Sequence, residues 1–179
     1  MDAAELFTQT RGFNAFSYKD LQPQVGVKTS SIHYYFPTKQ NLATALAERY
    51  IKRFFEVLDE IDRKHKSPAV RLKAMGQIFI DVAAQDKLCL CNMLASDLLS
   101  IPAEGMEALR GFFEKAEKWI AKTITEGVEA GEFQSRVRPR HMAAYILAAL
   151  EGGLLIARTR KDVGYVRAVL DQALAQLKK

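Results

Sequence analysis

Leu42, Leu46, Tyr50, Phe54, Val57 and Ile61 recur at steps of three and four, which places them on one face of a long helix. Thr38 stands ahead of this run as its N-cap. The same periodicity extends along most of the chain, and strand-like alternation is scarce. Upstream, Asp2–Arg11 reads as a helix with Ala3, Leu6 and Phe7 on one face, stopped by Gly12. Ser17 caps a second helix, Asp20 completes a capping-box pattern, and Gly26 ends it. A short third helix opens at Lys28 or Thr29 and runs through Tyr35 to Phe36-Pro37.

Beyond the fourth helix, Lys64-His65-Lys66-Ser67-Pro68 marks a break, and a fifth helix runs to about Asp86. A sixth covers Cys91 to Ser100 and stops at Ile101-Pro102. The seventh runs from Ala103 to Ala130 with Gly131 as its C-cap. Arg136 to Pro139 connect to an eighth helix from Arg140 to about Lys161, and Asp162 caps a ninth to Leu177. The predicted fold is all-α: a three-helix N-terminal head over residues 1–40 and a larger helical bundle over 41–179.

Tyr18 to Phe36 fits a helix-turn-helix template. Leu21, Val25, Val27 and Ile32 are its expected small core, and Gly26 supplies the positive φ of the turn. The second helix of such a pair is free to enter the major groove with its N-terminal residues on base edges. Lys28, Thr29, Ser30 and Ser31 stand there, one cation and three short hydroxyls suited to bases or phosphates. His33 and Tyr34 follow on the exposed side, and Lys39 opens the next helix. Gly-centred helical hairpins also occur in plain bundles, so the template alone decides little.

The detailed run decides more. Ala3-Ala4-Glu5-Leu6-Phe7, Arg11-Gly12-Phe13, Ser17, Val25-Gly26-Val27 and Ser31-Ile32-His33-Tyr34-Tyr35-Phe36-Pro37-Thr38-Lys39 closely resemble the TetR family of bacterial regulators. The resemblance is specific over residues 2–47 and, beyond that, one of helix number and length. It implies a transcriptional regulator, a repressor released from its operator by a small, largely apolar effector. Its DNA-facing residues would be Ser17, Lys28, Thr29, Ser30, Ser31, His33, Tyr34, Tyr35 and Lys39, with Tyr35 and Lys39 on phosphates. Two features depart from the family. Its basic stretch and extra helical turn ahead of Met1 are absent, which points to a head shortened at its N-terminus. Pro23 sits inside the second helix, where it deletes one backbone hydrogen bond at modest cost near a helix start.

The bundle is rich in large apolar side chains, most of them core. The resemblance adds an effector pocket, for which Phe79, Met93, Phe113, Trp119 and Tyr145 are the candidates. Helix eight interleaves small and large residues and helix nine is apolar along one face. By the same resemblance these pair with a second copy through Tyr145, Ala149, Gly152, Gly153, Val166, Leu170, Ala173 and Leu177. A two-fold homodimer would meet a pseudo-palindromic stretch of double-stranded DNA.

Charge changes this picture little. The formal net charge is +5, which suits a polyanionic partner. Within residues 1–40, however, Arg11, Lys19, Lys28 and Lys39 face Asp2, Glu5 and Asp20, a net of +1. Cys89 and Cys91 are badly placed to bridge each other and raise a thiol-sensor reading, against which stands their apolar setting Leu88-Cys89-Leu90-Cys91. His33, His65 and His141 are scattered, no catalytic or metal-binding spacing occurs, and neither an enzyme nor a cofactor is expected. The apolar stretch from Met142 to Ala157 is broken by Glu151 and Gly152-Gly153, so no membrane span is expected, and the location is expected to be cytoplasmic. The competing non-enzymatic reading is a helical adaptor that has lost DNA binding.

Overall fold

The computed structural model describes residues 1–97, 100–134, 136 and 138–178. Among them there are nine α-helices and no strand: α1 (Asp2–Arg11), α2 (Tyr18–Val25), α3 (Thr29–Tyr35), α4 (Lys39–Lys64), α5 (Pro68–Ala84), α6 (Leu90–Ser96), α7 (Ala103–Glu129), α8 (Pro139–Arg160) and α9 (Gly164–Ala175), with a 3₁₀ turn at Phe13–Ala15. The all-α expectation holds. The sixth helix ends at Ser96, earlier than expected, and Leu98 and Leu99 from its expected last turn lie outside the described residues.

By compactness the chain gathers into two units, Met1–Arg53 with Lys87–Phe112, and Phe54–Asp86 with the chain from Phe113 onward. Residue 40 is not a boundary of this kind, because α4 and α7 are unbroken helices that each belong to both units.

In the first unit, Gly12 ends α1 at φ 98°, and the chain turns so that Phe7, Phe13 and Phe16 meet edge to face, at 5.6 Å between Phe7 and Phe16. Arg49 of α4 donates to Asp2 at 2.6 Å and Glu5 at 2.7 Å, and Arg53 also pairs with Glu5, so α1 is fastened along α4. Gln9 exchanges bonds with Leu88: its side-chain amide donates to the Leu88 carbonyl at 3.1 Å and its carbonyl accepts from the Leu88 amide at 3.0 Å.

In the second unit, α8 and α9 lie against each other and α5 packs on both. The turn after α7 is tightly specified. Glu132 accepts from the Ser67 hydroxyl at 2.6 Å and the Ala69 amide at 3.0 Å, capping α5. Those two donors, the hydroxyl foremost, hold its carboxyl below the usual carboxylate range. Glu132 and Phe133 donate their amides to the Gly127 carbonyl, which seats the Phe133 ring on Gly127 where a Cβ would overlap it. Gly127→Ala is therefore expected to destabilise the fold by about 1–3 kcal/mol through overpacking against a ring whose backbone is fixed. Urea unfolding monitored by circular dichroism checks this, and an unchanged midpoint refutes it.

Pro139–Arg160 is long and apolar enough to cross a bilayer by length and composition only, a test that the core helix of a folded domain also passes. Half of its most apolar window is buried within the protein, and Glu151 lies on that buried side, as expected of a core helix.

Candidate nucleic-acid interface

The helix-turn-helix forms as expected at its turn. Gly26 takes φ 70°, ψ 16°, and its amide donates to the Gln22 carbonyl at 2.9 Å. Its core is smaller than expected. Leu21 and Ile32 are buried, but Val25 and Val27 are about two-fifths exposed and border an apolar cleft of about 190 Å³ with Ala4, Phe36 and Leu42. Pro23 lies sixth of the eight residues of α2, not near its start. The helix stays continuous because only one short-range bond, to the Lys19 carbonyl, is missing.

Capping fixes where each helix begins. The Asp20 carboxylate accepts from both the amide and the hydroxyl of Ser17 at 2.7 Å, and these bonds lower its pKa. Thr38 and Asn41 do the same for α4: the Thr38 hydroxyl donates to Asn41 Oδ1 at 2.7 Å and accepts from the Asn41 amide at 3.2 Å.

Most of the predicted DNA-facing side chains are turned to solvent. Ser17, Lys28, Ser30, Ser31, His33, Tyr34 and Tyr35 are exposed and Thr29 is half-buried. Tyr34 and Tyr35 are 82% and 73% exposed, with their rings edge to face at 5.2 Å. Two rings left so bare on one short helix have no role in the head's own core. Ser17, Thr29 and His33 border an open cleft of about 530 Å³, together with Lys19 and Gln22, which sequence reasoning did not single out, and Thr38, expected only as a helix cap. Only the capping pattern at Ser17 and Thr38 could have signalled that α2 and α4 begin at one cleft.

Lys39 is half-buried and borders the same cleft, but its ammonium turns back to the protein's own backbone. Its ammonium donates to the carbonyls of Phe13 and Phe16 and sits over both rings, 4.6 and 4.4 Å from their centroids. Desolvation pushes its pKa below the usual lysine value, opposed by the more distant Asp97 and Asp20. Tyr18, also unforeseen, is buried, with its hydroxyl 2.8 Å from the Phe36 carbonyl and 2.7 Å from that of Thr38.

The expected effector residues are not gathered at any of the clefts described. Phe79 is buried, Phe113 is half-buried, and Trp119 commits its indole N–H to Asp62 at 3.0 Å. Met93 belongs to the other compact unit, beside Gly12. Tyr145 is half exposed on α8 and borders a surface groove instead.

That groove, about 460 Å³, is bordered by Ala148, Ala149 and Gly152 of α8 and by Ala168, Val169 and Gln172 of α9. It revises the expected pairing face. Tyr145 and Gly152 are exposed and Ala149 partly so, but Gly153, Val166, Leu170, Ala173 and Leu177 are buried inside the chain. The reason is that the apolar face of α9 turns inward: Leu170 seats against Gly76 of α5, and Val169 lies against Gly153.

Cys89 and Cys91 are buried, and the Tyr50 hydroxyl lies 3.9 Å from the Cys89 sulfur. The setting is that of packed structural thiols rather than exposed reactive ones. Among the described residues no group of His, Cys, Asp or Glu could hold a metal ion.

An all-α chain with an exposed recognition helix on a capped helix-turn-helix defines a DNA-binding regulator of the helix-turn-helix class. The profile of the bacterial regulatory proteins of the tetR family matches residues 1–46, and that of the tetracyclin repressor-like C-terminal domain matches residues 68–173. The chain belongs to the TetR family of transcriptional regulators. A curated relative, the nucleoid occlusion factor SlmA of Marinobacter nauticus, is 28% identical over 137 residues, 74% of this chain and 68% of the relative. Among solved structures, a TetR regulator from Legionella pneumophila is 28% identical with a TM-score of 0.88, covering 99% of this chain and 94% of that one. A TetR-family regulator from Agrobacterium tumefaciens is 25% identical with a TM-score of 0.92 and the same coverage. Regulators of this family are generally non-enzymatic.

Proposed function

We propose that this protein is a homodimeric repressor that binds a pseudo-palindromic operator and leaves it when a small, largely apolar effector binds the helical bundle. The observation that carries the DNA half is the bare N-terminal and outer surface of α3, with Lys28, Ser30, Ser31, His33, Tyr34 and Tyr35 all in solvent. Lys28, Ser30 and Ser31 are placed for base edges and phosphates, and Tyr35 for a phosphate beside them. Ser17, Thr29, Lys19, Gln22 and Thr38 border the neighbouring cleft, where the N-terminus of the long α4 favours an anionic backbone. Pairing uses the outer face of α8 and α9, where small residues allow helices to approach closely.

Effector release is a population shift. A ligand that binds the bundle better in a head spacing unsuited to the operator disfavours DNA by its differential affinity, typically about 1–3 kcal/mol.

The test is selection of duplexes from a randomised DNA pool by the wild-type protein, followed by anisotropy titration over a range of salt. A single palindromic sequence is expected to emerge, with affinity falling steeply as salt rises. Lys28→Ala is expected to weaken binding to all sequences and to make the salt slope shallower by about 0.9. If no sequence is enriched and salt has no effect, the helical adaptor reading replaces this one.

A further inference from the structure

We propose that Lys39 and Tyr18 form a reciprocal strut that sets the spacing of the α2 and α4 N-termini, and that Lys39 acts as a positioning residue rather than a phosphate contact. The inference rests on the DNA-binding reading above and assigns Lys39 a different part in it.

The geometry is reciprocal. Lys39, first residue of α4, reaches back to the Phe13 and Phe16 carbonyls in the turn that leads into α2. Tyr18, first residue of α2, reaches forward to the Phe36 and Thr38 carbonyls in the turn that leads into α4. Each helix start is therefore tied to the backbone just ahead of the other. Between the ties lie Ser17 and Thr38, both on the open cleft. His33 of α3 packs edge-on against the Tyr18 ring at 4.6 Å, so the strut also bears on the recognition helix.

The energetics favour an inward lysine. Phe13 and Phe16 are 1% and 4% exposed, and the ammonium of half-buried Lys39 over them, at the border of the open cleft, has given up part of its water. Two carbonyl acceptors and two ring faces replace that water. Asp97 and Asp20 act on it through space only, so no carboxylate holds it in place. Swinging out to a phosphate would cost all four contacts and leave two carbonyls near apolar rings without that donor. Exposed Lys19 and Lys28 face no such cost.

A phosphate-binding lysine and a positioning lysine leave opposite signatures. Loss of a phosphate contact weakens binding to every sequence alike and makes the salt slope shallower by about one. Loss of positioning weakens the selected duplex alone and leaves the slope intact. A merely stabilising residue would shift the melting temperature without changing the ratio of selected to scrambled affinity well below it.

The experiment measures wild type, Lys39→Met, Lys39→Gln, Tyr18→Phe and the Lys39→Met/Tyr18→Phe double variant on the selected duplex and a scrambled one, across salt, with thermal melts of each. Lys28→Ala is the phosphate-contact control. Lys39→Met and Tyr18→Phe are expected to weaken the selected duplex about tenfold each, the order of one or two lost charge-assisted or buried hydrogen bonds. Scrambled binding and the salt slope stay as in wild type, and the double variant is no weaker than Lys39→Met alone. Lys39→Gln, shorter but still a donor, retains a partial effect and carries the slope measurement if Lys39→Met does not fold. A slope shallower by about one in either Lys39 variant, with equal losses on both duplexes, overturns the strut and leaves the DNA reading intact. Multiplicative losses in the double variant overturn it too. Absence of salt-dependent binding by the wild type removes the DNA reading itself.

Discussion

Gly152→Arg is expected to give a folded monomer that no longer holds its operator. Gly152 is exposed on α8, and a Cβ added there meets nothing within 4 Å. Glycine inside an exposed helix costs about 0.5–1 kcal/mol relative to alanine. Nothing in the chain's own packing offsets that cost at Gly152. At neighbouring Gly153 a Cβ would lie 3.7 Å from the Val169 methyls, an ordinary intrachain contact. The small surface at Gly152 therefore makes sense when a second copy approaches it. Arginine removes the helix cost, so the monomer is as stable or more so, while each protomer brings an unpaired charge to the interface. A cost of about 2 kcal/mol per copy raises the dimer dissociation constant about a thousandfold. Operator affinity falls with it, because one head alone reads one half-site. Sedimentation velocity and anisotropy on the selected duplex read both consequences. A variant that remains dimeric would show that the outer face of α8 is not the pairing surface.

What could be read from the sequence divides along a physical line. Helix positions rest on periodicity and local stop signals, so Gly12, Ser17, Gly26, Thr38 and Gly131 end or begin helices close to where they were expected. Family resemblance over the head was legible for the same reason, since its motifs are contiguous. Side-chain direction was not legible. Val25 and Val27 are apolar yet remain partly in water, because the short α2 and α3 bury only Tyr18, Leu21 and Ile32. Lys39 reads as an outward cation, and only the three-dimensional return of the Phe13–Phe16 turn shows that it points in. The apolar face of α9 reads equally well as an intermolecular or an intramolecular face, and the structure turns it toward α5 and α8. The effector pocket was the least legible part, because an aromatic residue that fills a core and one that lines a void share the same spacing.

The largest expected loss of stability comes from Arg71→Met. Arg71 is buried on α5, where its guanidinium donates to Asp62 of α4 at 3.2 Å and pairs with Glu126 of α7. Asp62 also accepts from the Trp119 indole, and Lys122 stands 3.7 Å from Glu126. One cation thus joins three helices, and sequence spacing gives no hint of it because the partners lie 9 and 55 residues away. Removing it leaves the two carboxylates with the Trp119 indole on Asp62 and the exposed Lys122 on Glu126 in support. Breaking a fully buried pair costs about 3–5 kcal/mol, and Asp62 and Glu126 keep about a third of their side-chain surface in water. The discounted cost is about 2–4 kcal/mol, a melting temperature lower by roughly 5–15 °C for a chain of this size. Asp62→Asn, whose single amide oxygen can accept from Arg71 or from Trp119 but not from both, leaves Arg71 paired with Glu126 and should cost less than Arg71→Met. Because the penalty lies in the abandoned charges, Arg71→Met/Glu126→Gln should recover part of the loss rather than add to it. Thermal melts of the three variants decide the matter: if Arg71→Met melts within about 2 °C of wild type, a shift worth no more than about 1 kcal/mol, the cluster does not hold α4, α5 and α7 together.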